Sequence, residues 1–504
     1  MSERSERTRQ HSTFGRTRER TVVGGSMVLV VGRYLNAVLG YIGTAIIART
    51  LSPDDWGAIS LIFAVFALLG PLSDVQASRL VVAEILDEPE RAGEVIGSYM
   101  VLRLLLGIVA GTAGVVYLAA TNDSASILKA SLLAGSVFLL APMWNALALF
   151  FQTRQWLRSM GVAMVGAQLV QLALTIAIAR SGRGTLVTFV LPFVAFDALV
   201  LLALVAIAGR HIKIRPTLAV AKWRRWLREA VPIAIGAALG TVYFRLDMVM
   251  LSRLDTLDSV GLYSVAYRFS DLIGYVPNAL MAAAFPLLVA AWPSNTESLH
   301  RTFRGSLILL MVAALGAVAL FTPFAGSAIR LLYGARFAPA AGAARLLVIG
   351  QVLHFVTTLE VTLLIACGRH RLYPVATLLG VVLAVVLNIA LIPGYSYVGS
   401  GWATVLTEIA VAAALVVGVR RVLGGWEWPS RAMAVAGLAG VATFAVGALL
   451  QLVVPWPVAF IAGVLTFLGV LQFVGIEPEG GVRSLTLLLR GRDLTDEPMH
   501  LAEI

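Results

Sequence analysis

Apolar residues run through this chain in long blocks, with most charges confined to the gaps between them. A run of about 20 apolar residues crosses the hydrocarbon core of a bilayer as a helix. The pattern predicts fourteen spans, over 22–48, 56–75, 95–118, 127–151, 160–179, 185–208, 230–252, 259–290, 305–333, 343–366, 372–392, 398–419, 431–452 and 456–475. The 259–290 stretch is long and carries Pro277 and Pro286 towards its end, so its boundaries are weakly marked. Residues 1–21 are rich in Arg, Ser, Thr and Glu with no cleavable signal, and read as a disordered cytoplasmic tail.

Composition turns this pattern into a class. Of 504 residues, 59% are hydrophobic and 13% charged, about half the charged share of roughly 25% in soluble domains. A soluble particle of this size could not cover its surface with so few charges. The mean hydropathy of +0.86 agrees. The expected class is an all-α polytopic membrane protein. The single cysteine, Cys367, excludes a disulfide framework and a Cys-based metal site.

The net charge of +11 has a topological explanation. Of 39 Lys and Arg, about 27 fall in the tails and in the loops near 76–94, 152–159, 209–229, 291–304, 367–371 and 420–431. About six lie on the opposite side: Arg49, Lys129, Arg180, Arg183, Arg253 and Arg336. This bias places both termini in the cytoplasm of a plasma-membrane protein, with an even number of spans. It is not a nucleic-acid signal. The largest inner loop, 209–229, contains Lys222-Trp223-Arg224-Arg225-Trp226-Leu227-Arg228. It reads as an amphipathic basic linker that would lie in the inner headgroup layer and contact membrane lipids.

Shifting the chain by 204 residues aligns Arg49, Asp54, Gly57, Ser60, Leu68 and Gly70 with Arg253, Asp258, Gly261, Ser264, Leu272 and Gly274, without a gap. Each passage joins an odd-numbered span to the next. Six spans separate them, so the repeat predicts two parallel six-helix lobes, 22–208 and 230–419. Two further helices fall in 420–475, and 476–504 forms a cytoplasmic C-terminal tail. Two lobes that rock can expose a central cavity alternately to each side, which is a transporter plan. Asp54 and Asp258 are expected to cap the helices that follow them. The Asp54-Asp55 pair would also suit an Asp-dependent glycosyltransferase, but its loop is too short for a sugar nucleotide.

Three passages carry a family resemblance. Ala48-Arg49-Thr50-Leu51-Ser52-Pro53-Asp54-Asp55-Trp56-Gly57 resembles the first outer loop of polysaccharide flippases, with a departure at Trp56, where another aromatic is commoner. Tyr243 to Leu251 and Val260 to Arg268 resemble their seventh and eighth helices. Leu387 to Thr404 is similar to their eleventh-to-twelfth hairpin. The family belongs to the MOP exporter superfamily, with the multidrug/toxin extruders and the lipid II flippases. The resemblance implies a central, partly cationic cavity between two lobes. It also implies outward movement of a polyprenyl-linked oligosaccharide by alternating access.

Ionisable residues inside spans face a cavity or a partner by default. Arg33 lies about eleven residues into its span, too deep to snorkel, and a guanidinium can hold a pyrophosphate through a planar fork. It is the leading substrate-contact candidate. Arg245 and Asp247, two apart, face different directions on a helix, whereas Arg268 and Asp271, three apart, can pair on one face. These four are also substrate-site candidates. Arg103 is expected to snorkel, and Arg330 and Arg345 to be interfacial. Glu360 and Glu408 are candidates for coupling to an H⁺ or Na⁺ gradient, while His354, Gln351, Asn388, Gln168 and Gln171 read as interhelical glue. No phosphate loop, nucleophile elbow or paired His ligands occur, so neither catalytic residues nor a metal or organic cofactor is expected. The expected partners are the lipid-linked oligosaccharide and the glycosyltransferase or polymerisation machinery that handles it. The alternatives are a cation-coupled multidrug exporter, a major-facilitator transporter, whose second-to-third loop signature is not matched by Asp74 to Glu84, and a polytopic glycosyltransferase or polymerase.

Overall fold

The computed structural model describes residues 32, 34–74, 76–425 and 429–473. Both expected tails, and the outer ends of the first and last expected spans, lie outside the described residues. Within them the chain is helical, with no strand. The elements are α1 (34–50), α2 (Pro53–Ser73), α3 (Ser78–Asp87), α4 (Ala92–Thr121), α5 (Ala125–Gly135), α6 (Val137–Thr153), α7 (Leu157–Arg180) and α8 (Leu191–Ala208). There follow α9 (Val220–Leu254), α10 (Leu257–Ile273), α11 (Tyr275–Ala291), α12 (Thr296–Tyr333), α13 (Ala341–Ala366), α14 (Leu372–Leu423), α15 (Ser430–Leu450) and α16 (Trp456–Phe473).

Eleven helical stretches among the described residues are long and apolar enough to cross a membrane. One of these, α14, has 52 residues, about 78 Å at 1.5 Å per residue, which is enough for two crossings. It bends at Ser396, where φ is 55°, three residues after Pro393. The fourth expected span is broken at Ser136 between α5 and α6, and the eighth at Gly274 between α10 and α11. With α1 and α16 at the edges of the described residues, every expected span has a helical counterpart. The protein is an all-α, multi-pass membrane protein. Large apolar side chains such as Val109, Leu202 and Leu465 point outward and exposed, as a lipid-facing surface requires.

By packing, the chain divides into two units, Met1–Gly261 and Leu262–Ile504. In the first, Tyr99, Phe151, Leu204 and Trp226 are fully buried in one core. Trp226 meets Tyr99 edge-on at 5.7 Å between centroids. The basic Lys222–Arg228 stretch is therefore not a separate element between helices. It opens the 35-residue α9 and is tied inward. Glu84 of α3 takes ion pairs from Lys222 and Arg225 and accepts a hydrogen bond from Trp226 Nε1 at 3.2 Å. Trp223 Nε1 donates to Ser98 Oγ at 2.9 Å.

The repeat is visible in atomic contacts. Ser52 Oγ caps α2 by accepting from Asp55 N at 3.1 Å, and Thr256 Oγ1, its repeat equivalent, accepts from Ser259 N at 3.2 Å. The expectation that Asp54 and Asp258 are the caps is thus corrected. They sit in the first turns, where a carboxylate meets the positive helix end. A Cβ on Gly57 would lie 1.8 Å from the Leu257 carbonyl oxygen, and one on Gly261 would lie 2.1 Å from that of Pro53. The two contacts interchange under the 204-residue shift, as contacts about a two-fold axis do. Only glycine permits backbones to approach this closely.

The second unit has its own core, in which Phe303 and Leu307 of α12 join Phe355 and Leu363 of α13 and Leu415 of α14. Phe324 of α12 packs on Phe460 of α16 at 5.6 Å.

Candidate functional site

The first unit contains a cavity of about 360 Å³. Its wall is built from Ala67, Gly70, Pro71, Ser73 and Asp74 of α2, Gln76, Arg103 of α4, Phe138, Ala141, Pro142 and Asn145 of α6, and Ala237 and Thr241 of α9. Three of these helices carry an internal proline, Pro71, Pro142 and Pro232, which cannot donate to the carbonyl four residues back. Pro71 so deprives Ala67, which is on the wall, of its helical donor. Pro142 does the same to Phe138, whose carbonyl is tucked against Gly107, where a Cβ would come within 2.1 Å.

Arg103 is the charge in this wall. It is expected from sequence to reach the interface. Instead α4 begins at Ala92, which makes Arg103 the twelfth residue of a 30-residue helix, and its side chain is only 6% exposed. Its Nη1 lies 3.1 Å from Asp74 Oδ1, and its guanidinium carbon sits 5.7 Å from the centroid of the Tyr99 ring. Its Nε has no hydrogen-bond partner. Buried donors are nearly always satisfied, so an unpartnered guanidinium nitrogen beside a cavity marks a place for an acceptor. Sequence reasoning undervalued this residue, because Asp74 belongs to another helix.

Of the candidates read from sequence, Arg33 lies outside the described residues. Arg245 and Asp247 are half-buried on α9. Arg245 is one turn beyond Thr241 and two beyond Ala237, and so continues the stripe of α9 that lines the cavity. Asp247 points elsewhere, and its Oδ1 accepts from Met248 N at 2.8 Å. Arg268 and Asp271 are half-buried on α10.

Glu360 and Glu408 belong to the second unit. Glu408 is 3% exposed. Its carboxylate accepts from Thr357 Oγ1 at 3.2 Å, and His354 Nδ1 lies 3.2 and 3.3 Å from its two oxygens. Glu360, also buried, has an Oε2 without a hydrogen-bond partner. Gln351 ties α13 to α10 by accepting from Ser270 Oγ at 3.2 Å. Arg345 Nε donates to the Thr322 carbonyl at 3.0 Å. Among the described residues, no three His, Cys, Asp or Glu side chains gather as a metal site requires.

The family model described as "Polysaccharide biosynthesis protein" matches residues 22–292, more than half of the sequence. The chain belongs to the polysaccharide biosynthesis protein family. A second model, MatE, matches residues 232–390. EpsE, the EPS I polysaccharide export inner membrane protein of Ralstonia nicotianae, is 25% identical over 69% of this chain and 82% of its own length. The probable flippase AglR of Haloferax volcanii is 28% identical over 33% of this chain and 35% of its own. Among solved structures, the lipid II flippase MurJ in an inward closed conformation aligns with a TM-score of 0.72 at 13% identity, covering 92% of this chain and 100% of that one. An inward-facing multidrug resistance MATE transporter aligns with a TM-score of 0.60 at 16% identity, over 78% and 98%. At such identities the likeness concerns the fold alone.

This polysaccharide biosynthesis protein holds one further intramembrane acid that sequence reading passed over. Asp197, 6% exposed, accepts from Trp144 Nε1 of α6 at 2.8 Å. The signal was available, since Asp197 is the one charged residue in 191–208.

Proposed function

We propose that this protein is a non-catalytic transporter that flips polyprenyl-phosphate- or polyprenyl-pyrophosphate-linked oligosaccharides from the inner to the outer leaflet by alternating access, for polysaccharide or glycoconjugate biosynthesis. The observation that carries this reading is Arg103, a buried guanidinium on a cavity wall whose Nε has no hydrogen-bond partner. Arginine holds phosphate through paired N–H donors. Asn145, Thr241 and the Ala67 carbonyl supply neutral partners for sugar hydroxyls. The cavity volume falls within the range of about 300–1,000 Å³ of small-ligand sites, suited to a phosphate and the first sugar while the lipid tail stays in the bilayer. Arg33, Arg245 and Arg268, with Asp247 and Asp271, are proposed as further contacts along the path. Family membership and the names of EpsE and AglR support the cargo class. In this reading the protein sits in the plasma membrane with both termini cytoplasmic, and works beside glycosyltransferases or polymerases.

The test is reconstitution in vesicles with a fluorescent polyprenyl-pyrophosphate-linked oligosaccharide. Acceleration of leaflet transfer over protein-free vesicles is expected. No acceleration, or transport of a cationic dye instead, would overturn the reading in favour of a multidrug exporter.

The reading assigns energy coupling to Glu360 and Glu408, through H⁺ or Na⁺ or the membrane potential. A buried carboxylate oxygen without a partner is costly when ionised, and a proton or cation relieves that cost. Glu360→Gln is neutral at every pH. It is expected to abolish acceleration of flipping by an imposed pH or Na⁺ gradient while leaving transfer without a gradient within about twofold. Glu408→Gln additionally disturbs His354 and Thr357 and should lower both. Retention of full gradient response in both variants would remove the two residues from the coupling role.

A further inference from the structure

Arg103 and Asp74 form an unequal pair. The arginine is 6% exposed and held in α4, whereas the Asp74 side chain is 41% exposed at the C-terminal cap of α2. One partner cannot leave, and the other can turn to water at little cost. Their contact is an ion pair of Nη1 with Oδ1 that is not a hydrogen bond, and the buried Nε has no hydrogen-bond partner, so it engages only part of the edge that a tetrahedral oxyanion would take with two parallel hydrogen bonds. The other tether on Asp74 is weak: Gln76 Nε2 donates to Oδ2 at 3.4 Å, from a residue whose backbone is left-handed at φ 53°, an uncommon conformation for a non-glycine residue.

We propose that Asp74 is the resident counter-ion of Arg103 in the empty carrier, and that a phosphate or pyrophosphate group entering the cavity displaces it. Binding is then an exchange of a monodentate carboxylate for a bidentate oxyanion. The inference rests on the proposed cargo class for its biological ligand, though the exchange itself concerns only the anion. The physical benefit lies in the unloaded return step. A buried guanidinium without an anion is expensive, and an empty carrier must rearrange as readily as a loaded one. Asp74 keeps the wall compensated in both cases, because it pairs with Arg103 when the anion is absent and moves towards solvent when it is present. It is a positioning residue that also competes with the ligand.

The competition has a defined sign. In detergent-solubilised full-length protein, inorganic pyrophosphate is the probe and calorimetric titration the readout. Asp74→Asn should bind pyrophosphate about tenfold more tightly than the unaltered protein, because the internal competitor is gone. Asp74→Ser provides a second charge-free variant should the asparagine fold poorly. In an Arg103→Gln background the same Asp74 change should produce no gain. A general field effect of removing one negative charge would persist there. Multiple-turnover flipping by Asp74→Asn should fall several-fold despite the tighter binding, since the empty return loses its counter-ion. Unchanged or weaker pyrophosphate binding in both Asp74 variants, or a gain that survives Arg103→Gln, overturns the exchange. A protein that flips lipid-linked glycan but shows no gain on Asp74→Asn loses the exchange alone. One that shows the gain but flips nothing keeps the exchange and loses the cargo.

Discussion

Arg103→Ala should slow flipping of a pyrophosphate-linked oligosaccharide by one to two orders of magnitude. A hydrogen bond to a charged group in a buried site is worth about 1.5–3 kcal/mol, and each 1.4 kcal/mol is about tenfold in rate. The fold should survive, because the stranded partner, Asp74, is 41% exposed and can be hydrated where a buried carboxylate could not. Initial rates in vesicles matched for protein content, with thermal unfolding of the same preparation, separate the two effects. Arg245→Ala should cost less, since that residue is half-buried and its lost charge is more readily replaced by water. A rate within twofold of the unaltered protein for Arg103→Ala, at unchanged stability, would remove the cavity from the transport path.

The second large effect concerns the repeat. Gly57→Ala should lower stability by about 3 kcal/mol or more, at the upper end of overpacking penalties. The added Cβ would lie 1.8 Å from the Leu257 carbonyl oxygen and 2.8 Å from Gly261 N. Both are backbone atoms, so no rotamer change relieves the clash, and α2 and α10 must move apart. Gly40→Ala is the control, because no heavy atom lies within 4 Å of its built Cβ, and alanine is the better helix former by about 1 kcal/mol. Thermal midpoints in detergent should fall for Gly57→Ala and hold or rise for Gly40→Ala. Equal midpoints would mean that the close approach is not required.

The residues of these two predictions differ in how far they could be read beforehand. Gly57 and Gly261 stood out as aligned positions of a repeat, and their mutual contact is what a two-fold arrangement of equal passages produces. Arg103 stood out only as a charge inside a span. Its depth depended on where α4 starts, and its burial depended on Asp74 beyond the end of another helix. Asp197 was legible as a lone acid in an apolar span, but its partner Trp144 lies 53 residues away. The contacts of the Lys222–Arg228 stretch were hidden for the same reason: the residue that draws it inward, Glu84, is 138 positions from Lys222.

By itself the sequence determined the membrane class, the multi-pass helical pattern, the 204-residue repeat and the family resemblance, because each depends on run length, local composition or residue order. The tertiary structure alone decided which charges are enclosed, which acid each one faces, which helix starts are capped by Ser52 and Thr256, and where a cavity opens beside an unpartnered guanidinium nitrogen. Apolar transfer acts on each segment separately and leaves its mark along the chain. The pairing of buried charges depends on separations of a few ångströms between distant segments, and packing alone sets those.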